Sequence, residues 1–282
     1  MLGVRFATTG LVLGLVACSA GHQVTAPTTL TPTTSTPTVA SETPRPSSSA
    51  PSVEPSTSSS ALRSAKDVEA LWAAYPWAPD DGLACSPPAS SPGTSMDPAG
   101  SEVVVVIGDS LIRESRNAIT TELADIGYGV VFVCWGGKNL LWGLDQVDTL
   151  RSLDLMPACL VLNLGTNDLK GTTAQGLSDA VPLQTVAARL TALLNEIATV
   201  PDVFVVDLAA DLTAAPGTMS EVGQAPDVWQ AAVQTTGVGA AVPWAAAAAS
   251  GGLIGPDGIH DTAEGQQVRA RLIASFVARD CA

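Results

Sequence analysis

A serine with the surroundings of a nucleophile lies in the segment Gly108-Asp109-Ser110-Leu111. A run of β-branched residues at 103–107 precedes it and apolar residues at helical spacing follow it, which predicts a turn from strand to helix. The free N–H groups and the dipole at a helix N-terminus stabilise a negative charge developing there. Because Ser and Asp are also preferred helix caps, the tetrapeptide alone fits a simple capping role for Asp109 or Ser110 equally well.

A histidine near the end of the sequence supplies the base that such a serine needs. Of the two histidines, His22 falls in a segment rich in Thr, Ser and Pro, so His260 is the one imidazole in the predicted folded domain. Asp257 precedes it by three residues, so its carboxylate can accept the Nδ1–H and leave Nε2 free for the serine hydroxyl. The alternative is a histidine satisfied in a surface turn, with Asp257 as the Asx residue of that turn.

Two polar turns contain groups that could stabilise an oxyanion. Gly136-Gly137 follows an apolar run at 130–133, and Asn167 follows another at 160–164. Acyl transfer passes through a tetrahedral oxyanion that needs two or three hydrogen-bond donors. The candidates are the backbone N–H of Ser110, that of Gly137 or Gly136, and the side-chain amide of Asn167. Each of the two turns is also compatible with an ordinary turn or cap.

The elements that must position these residues alternate between strand and helix. Four apolar runs predict buried strands, a fifth strand is predicted near 240–244, and helical patterns include 183–200 and 263–279. This alternation predicts an α/β fold of three layers, with a parallel sheet covered on both faces. In such folds ligands bind at the carboxyl ends of the strands, which is where the serine and the two polar turns are expected to meet.

The blocks with these candidates resemble the four sequence blocks of the SGNH (GDSL) hydrolases, in the same order and over residues 103–282. They are Gly108-Asp-Ser-Leu111, Gly137, Gly165-Thr-Asn-Asp168 and Asp257-Gly-Ile-His260. The resemblance implies a flavodoxin-like α/β/α sandwich with a parallel five-stranded sheet. It also implies that Ser110 is the nucleophile of a triad with His260 and Asp257, and that Ser110, Gly137 and Asn167 form the oxyanion hole. The Val242-Pro-Trp244 segment, with the later Asp-Gly-Ile-His, is similar to the SGNH domains of bacterial membrane O-acyltransferases.

The cysteines predict disulfides in an exported domain. Apart from Cys18 there are four, an even number without a Cys-x-x-Cys spacing, which favours two disulfides over a metal site. If the strand order is 2-1-3-4-5, as in flavodoxin-like folds, the start of the third strand and the end of the last helix lie at the same end of the sheet. The pairs then expected are Cys159–Cys281 and Cys85–Cys134, among the three pairings that four cysteines allow.

The N-terminal segment predicts export and a lipid anchor. Residues 1–17 contain Arg5 and a short apolar run at 11–17, typical of a signal peptide and too short to span a membrane. Leu15-Val-Ala-Cys18 resembles a bacterial lipobox, which predicts acylation of Cys18; the alternative is an ordinary signal peptide. Residues 18–66, rich in Thr, Ser and Pro, predict a disordered stalk, and the hydrolase domain is expected over 67–282.

The net charge and the sequence motifs limit the classes of molecule that the protein is expected to bind. A net charge of −14 argues against nucleic acid. No motif for a metal or cofactor is present, and none is expected. The sequence therefore predicts a serine esterase of the bacterial cell envelope, anchored to the membrane by its lipid, that acts on acyl esters of a glycan, a lipid or a small alcohol. The alternatives are an O-acyltransferase acting on envelope glycans and a non-catalytic lipoprotein that binds glycans.

Overall fold

The computed structural model describes Cys85 and residues 102–171, 180–213 and 219–281. The predicted signal peptide 1–17, the lipidation site Cys18 and the stalk 18–66 lie outside the described residues. The first part of the predicted domain, 67–101, lies outside them too, apart from Cys85. Within the described ranges, no helix combines the length and the apolar character needed to cross a membrane.

The described residues form strands and helices in alternation, as predicted. The strands are β1 (Val103–Gly108), β2 (Gly129–Cys134), β3 (Cys159–Asn163), β4 (Asp202–Val206) and β5 (Ala240–Val242). The helices are α1 (Ser110–Asp125), α2 (Leu140–Ser152), α3 (Thr166–Lys170), α4 (Leu183–Glu196), α5 (Ala225–Thr236), α6 (Trp244–Ala248) and α7 (Ala263–Asp280), and a 3₁₀ turn at Val222–Gln224 precedes α5.

The five strands form one parallel sheet in the order β2-β1-β3-β4-β5. β1 pairs with both β2 and β3, so that Gly108 at its end lies opposite Cys134 on one side and Asn163 on the other. The chain first adds β2 on one side of β1 and then places β3 on the other. This reversal opens a crevice at the carboxyl ends of β1 and β3, the place where open α/β sheets bind ligands.

Alternate side chains of the sheet pack into two separate cores. Val103, Val105 and Ile107 of β1 face a core with α2, α4 and α5. Val104 and Val106 face a second core with α1, α6 and α7. Because β1 is buried on both faces, it reads as an unbroken run of β-branched residues rather than an alternating one. The predicted flavodoxin-like α/β/α sandwich with a five-stranded parallel sheet is therefore confirmed.

Two disulfides join the sheet to neighbouring segments. Cys85 is bonded to Cys134 at the end of β2, and its N–H also donates to the Cys134 carbonyl at 2.7 Å. Cys159 at the start of β3 is bonded to Cys281, the residue after α7, with 6.0 Å between the two Cα atoms. These are the two pairs expected from the strand order 2-1-3-4-5, which the sheet has.

Candidate active site

Ser110 is the first residue of α1, and one residue, Asp109, separates it from the carboxyl end of β1. The neighbouring Asp109 caps this helix, because its Oδ1 accepts the Leu111 N–H at 3.0 Å. The Ser110 Oγ instead lies 2.9 Å from His260 Nε2. The tetrapeptide alone did not show whether Ser110 caps the helix or contacts the imidazole. Asp109 is the cap, and Ser110 makes the contact with His260.

His260 lies in a tight turn just before α7, and Asp257 holds both the turn and the ring. One carboxylate oxygen, Oδ1, accepts the N–H groups of Ile259 at 3.0 Å and His260 at 2.9 Å. The other, Oδ2, lies 2.5 Å from His260 Nδ1. Because a carboxylate can only accept here, this contact assigns the proton to Nδ1 and leaves Nε2 free to accept from Ser110. Asp257 therefore fills both roles that the sequence left as alternatives: it is the Asx residue of the turn, and it binds the His260 ring.

The pKa of Asp257 is lowered to about 2. Partial desolvation is the largest single influence and acts to raise this pKa. It is outweighed by the hydrogen bond from the His260 ring together with those from the Ile259 and His260 N–H groups. Asp257 is therefore ionised at neutral pH, where it can orient the ring and stabilise the imidazolium that forms when His260 takes a proton.

The expected backbone donors of the oxyanion hole are available. Among the residues that the structure describes, no group accepts a hydrogen bond from the backbone N–H of Ser110, Gly136 or Gly137. Gly137 has a φ of +78°, a left-handed conformation that favours glycine in the turn after β2. Since neither glycine N–H is engaged, the geometry leaves open which of the two would contact an oxyanion.

Asn167 lies in the first turn of α3, beside the Ser110 turn. Gly165 before this helix has a φ of +116°, and a Cβ there would come within 2.7 Å of Trp229. The Asn167 Nδ2 donates to Asp109 Oδ2 and to the Lys138 carbonyl, both at 2.9 Å. Both amide hydrogens are thus engaged in this state, so an oxyanion would have to share one of them or displace one of these acceptors.

Asp109 links the two halves of the candidate site. It is fully buried and accepts hydrogen bonds from Leu111 and Asn167. Burial raises the pKa of its carboxyl to about 7, against the opposing influence of the Leu111 N–H and the charges of Arg269 and His260. A group beside the candidate nucleophile thus titrates near neutral pH.

A buried arginine that the sequence analysis missed lies behind the site. Arg269 of α7 is 1% exposed. Its Nε and Nη2 donate to Asp261 at 2.6 and 3.0 Å, and its Nη1 donates to Asn163 Oδ1 at 2.6 Å. Asp261 follows His260 directly, and Asn163 ends β3. The signal in the sequence is that Arg269 lies four residues before Ile273 and so shares the buried face of this helix.

Asp168 holds the start of the helix that follows the two glycines. Its Oδ2 accepts the Leu140 N–H at the start of α2 at 2.9 Å, and its Oδ1 accepts from Arg189 at 2.6 Å. Burial raises the pKa of this carboxyl, opposed by those two partners. Asp168, the residue next to Asn167, therefore holds the start of α2, three residues after Gly137.

Similarity to known proteins was found by comparison of three-dimensional structures and not by comparison of sequences. No protein-family model matches the sequence, and no curated protein matches it. A lipase/acylhydrolase from Enterococcus faecalis superposes with a TM-score of 0.53 at 16% identity, covering 62% of this chain and 95% of that one. The acetyl xylan esterase AlAXEase gives 0.52 at 16% identity, covering 62% and 99%. A mutant of an acetyl-xylooligosaccharide esterase from Geobacillus gives 0.50 at 14% identity, covering 62% and 93%.

The chain has the same fold as these three proteins, as the resemblance to the SGNH (GDSL) hydrolases implies. The resemblance seen in the four sequence blocks is therefore confirmed at the level of the fold. In this fold direct contacts join Asp257, His260 and Ser110. Asn167 contacts Asp109, the neighbour of Ser110, and the carbonyl of Lys138, the neighbour of Gly137.

Proposed function

We propose that the protein is a serine esterase that hydrolyses acyl esters through an acyl-enzyme formed on Ser110. The observation that carries this proposal is the continuous contact from Asp257 through His260 to Ser110, with distances of 2.5 and 2.9 Å. A serine hydroxyl is a weak nucleophile until an adjacent base removes its proton, and here the base is itself oriented by a carboxylate.

The reaction follows from the positions of these atoms. His260 Nε2 takes the Oγ proton while Oγ bonds to the ester carbonyl carbon, and the carbonyl oxygen becomes an oxyanion. The N–H groups of Ser110 and of Gly137 or Gly136 donate to that oxygen, and so does the Asn167 amide once it gives up or shares one of its two present acceptors. The C–O bond to the alcohol then breaks as Nε2 returns its proton to the leaving oxygen. Water, deprotonated by the same imidazole, then bonds to the acyl carbon. The bond from that carbon to Oγ breaks, Nε2 returns its proton to Oγ, and the acid leaves.

An acetylated glycan is the substrate class that we favour. The His260 side chain is 30% exposed and that of Asp257 is 51% exposed, so the reacting atoms lie near the surface rather than in a deep tunnel. An exposed site of this kind admits an ester attached to a polymer. The solved proteins of similar fold include an acetyl xylan esterase and an acetyl-xylooligosaccharide esterase.

The test combines turnover with covalent labelling. We expect the purified domain to hydrolyse p-nitrophenyl acetate and to gain the mass of one serine-directed phosphonate. Ser110→Ala should lose both, and His260→Ala should lose turnover while it unfolds at the same denaturant concentration as the wild type. Ser152→Ala, which changes an exposed serine at the end of α2, serves as the control. Absence of both turnover and labelling in the wild type would refute the proposal and favour a glycan-binding lipoprotein.

Transfer to a second alcohol is distinguished from hydrolysis by the products. An O-acyltransferase uses the same acyl-enzyme but passes the acyl group to a sugar hydroxyl in place of water. With an acetyl donor and an oligosaccharide acceptor, the proposed hydrolase should release acetate in proportion to the donor consumed. Recovery of most of the acetyl group on the acceptor would assign the transferase activity instead.

We also propose that Cys18 anchors the protein to the bacterial membrane, at the outer side of which the esterase works. The lipobox-like Leu15-Val-Ala-Cys18, after the short apolar run, supports this proposal. Acyl chains on one cysteine provide a stable anchor without a membrane-spanning helix. In a bacterial host fed with labelled palmitate, the full chain should become labelled and Cys18→Ser should not. An unlabelled, secreted wild type would refute the anchor.

A further inference from the structure

A carboxylate that the proposed mechanism does not use lies beside the imidazole. Glu114 is four residues after Ser110 on α1, so both side chains lie on the same face of that helix. Its Oε1 is 3.8 Å from His260 Nε2, the nitrogen that also contacts Ser110 Oγ. The Glu114 side chain is 32% exposed and therefore accessible to a bound molecule.

The position of Glu114 relative to His260 Nε2 determines which part of a bound ester the Glu114 carboxylate contacts. Nε2 must return its proton to the oxygen of the leaving alcohol, which requires that oxygen to lie within about 3 Å of the nitrogen. Since Glu114 Oε1 is 3.8 Å from the same nitrogen, the carboxylate and the leaving oxygen lie within about 7 Å of each other. Substituents two or three bonds from the ester oxygen can therefore reach Glu114, on the alcohol side of the ester.

We infer that Glu114 is a specificity-determining residue that selects the alcohol part of the substrate. It accepts hydrogen bonds from hydroxyl or ammonium groups close to the ester oxygen and repels a carboxylate, sulfate or phosphate at the same place. This inference rests on the proposed esterase function and narrows its substrates to esters of neutral or amino sugars. Esters whose alcohol carries a phosphate close to the ester oxygen, as in phospholipids, are disfavoured.

The charges around Glu114 set the size of the effect. The Arg113 guanidinium lies 3.4 Å from Glu114 Oε1 and offsets part of its charge. Solvent reaches the carboxylate and weakens its field further. Against this, a bound alcohol group displaces part of that water when it contacts the carboxylate. Between a cationic and an anionic alcohol we therefore expect a preference of roughly tenfold to a hundredfold in kcat/KM.

The experiment uses three acetate esters that differ in charge but hardly in size. Acetylcholine carries a trimethylammonium group, 3,3-dimethylbutyl acetate carries the neutral tert-butyl group, and 2-acetoxyethanesulfonate carries an anion. Each is assayed with the wild type, with Glu114→Gln and with Glu122→Gln. Glu122 lies eight residues further along α1, about 12 Å from Glu114 along the helix axis, so its variant removes the same charge at a distance.

The wild type should prefer the cation to the neutral ester and the neutral ester to the anion. Glu114→Gln should reduce the cation-to-anion ratio by about tenfold with little change for the neutral ester, while Glu122→Gln changes the ratio less than about twofold. An unchanged ratio in Glu114→Gln would overturn the inference. An equal loss for all three esters would overturn it as well, because Glu114 would then act through His260. If the wild type hydrolyses p-nitrophenyl acetate but none of the three esters, the inference about Glu114 fails and the proposed esterase function stands. If p-nitrophenyl acetate is not hydrolysed either, both fail.

Discussion

The Arg269 guanidinium binds both carboxylate oxygens of Asp261, the residue that follows His260. The same guanidinium donates to Asn163 at the end of β3 and lies 4.1 Å from the centre of the Trp244 ring. The turn that carries the candidate base is thus tied to the strand that leads to Asn167. Desolvation of the two ions offsets much of their attraction, but removal of one partner leaves the other charge buried and unpaired.

Replacing Arg269 should therefore disturb both folding and turnover. Arg269→Met leaves Asp261 charged, buried and without its cation, and we expect the free energy of unfolding to fall by about 3–5 kcal/mol. Arg269→Lys keeps the charge but not the two parallel hydrogen bonds, so it should fold and lose kcat about tenfold or more. Denaturant unfolding and ester kinetics measure the two effects.

Arg271 provides the matched control for this arginine. It lies two residues further along α7 and is exposed. Arg271→Lys should leave both unfolding and kcat within error of the wild type. An Arg269→Lys protein with the kcat of the wild type would show that the bidentate contact does not position His260.

Removal of the Asn167 amide should lower kcat rather than raise KM. The oxyanion exists only after attack, so a donor to it stabilises the transition state and not the bound ester. We expect Asn167→Ala to reduce kcat by about 10²–10³-fold with KM nearly unchanged. Asn195→Ala, an exposed change near the end of α4, is the control. Steady-state kinetics that showed only a higher KM would argue that Asn167 serves Asp109 and Lys138 alone.

The buried Asp109 should make stability fall as pH rises towards neutrality. Its pKa is about 7 in the folded protein, raised by burial from an ordinary value of 3.8. Between those values the folded protein holds a proton that the unfolded chain has released, so the free energy of unfolding decreases through this window and then levels off. In Asp109→Asn the free energy of unfolding should fall by about 1–4 kcal/mol less over this pH range than it does in the wild type.

Asp207 acts in the same direction, because burial raises its pKa to about 6. The slope in Asp109→Asn should therefore be reduced but not abolished. Urea unfolding at several pH values between 4 and 8 measures it, with Asp125→Asn, at the exposed end of α1, as the control. Identical slopes in the wild type and Asp109→Asn would contradict the assignment.

The bond between Cys159 and Cys281 should contribute substantially to stability. It closes a loop with a sequence separation of 122 residues. For a loop of that length the chain-entropy relation gives at most about 5 kcal/mol, and about 2–4 kcal/mol is typical of measured disulfides. The double variant Cys159→Ser with Cys281→Ser should lose this amount in denaturant unfolding. The double variant should also be as stable under reducing as under oxidising conditions, apart from the smaller influence of Cys85–Cys134.

The sequence predicted those parts of the fold whose apolar residues follow a regular pattern along the chain. Buried parallel strands are continuous apolar runs, so β1 to β4 were found to within two residues at each end. The candidate triad was predictable because the predicted domain has one histidine, with Asp257 three residues before it. Asp261, directly after that histidine, pairs with Arg269 instead. Helices α3 and α6 have only five residues each, too few for a helical period to show.

Contacts between distant segments were the part that could not be predicted. That Asn167 would donate both amide hydrogens to Asp109 and Lys138 depends on how two turns meet across the sheet edge. The distance from Glu114 to His260 likewise depends on the packing of α1 against the last turn. Such contacts are decided by three-dimensional packing, for which a single sequence contains no periodic signal.

The Cys159–Cys281 bond also determines what a protease can do to this molecule. Any single backbone cut between those two cysteines falls inside a closed ring of chain, with Ser110 outside the ring and His260 within it. The fragment with the nucleophile and the fragment with the base would therefore remain one covalent species. The two fragments would separate only after reduction of this disulfide. A protein cut once in this way would therefore still carry Ser110 and His260 in one molecule.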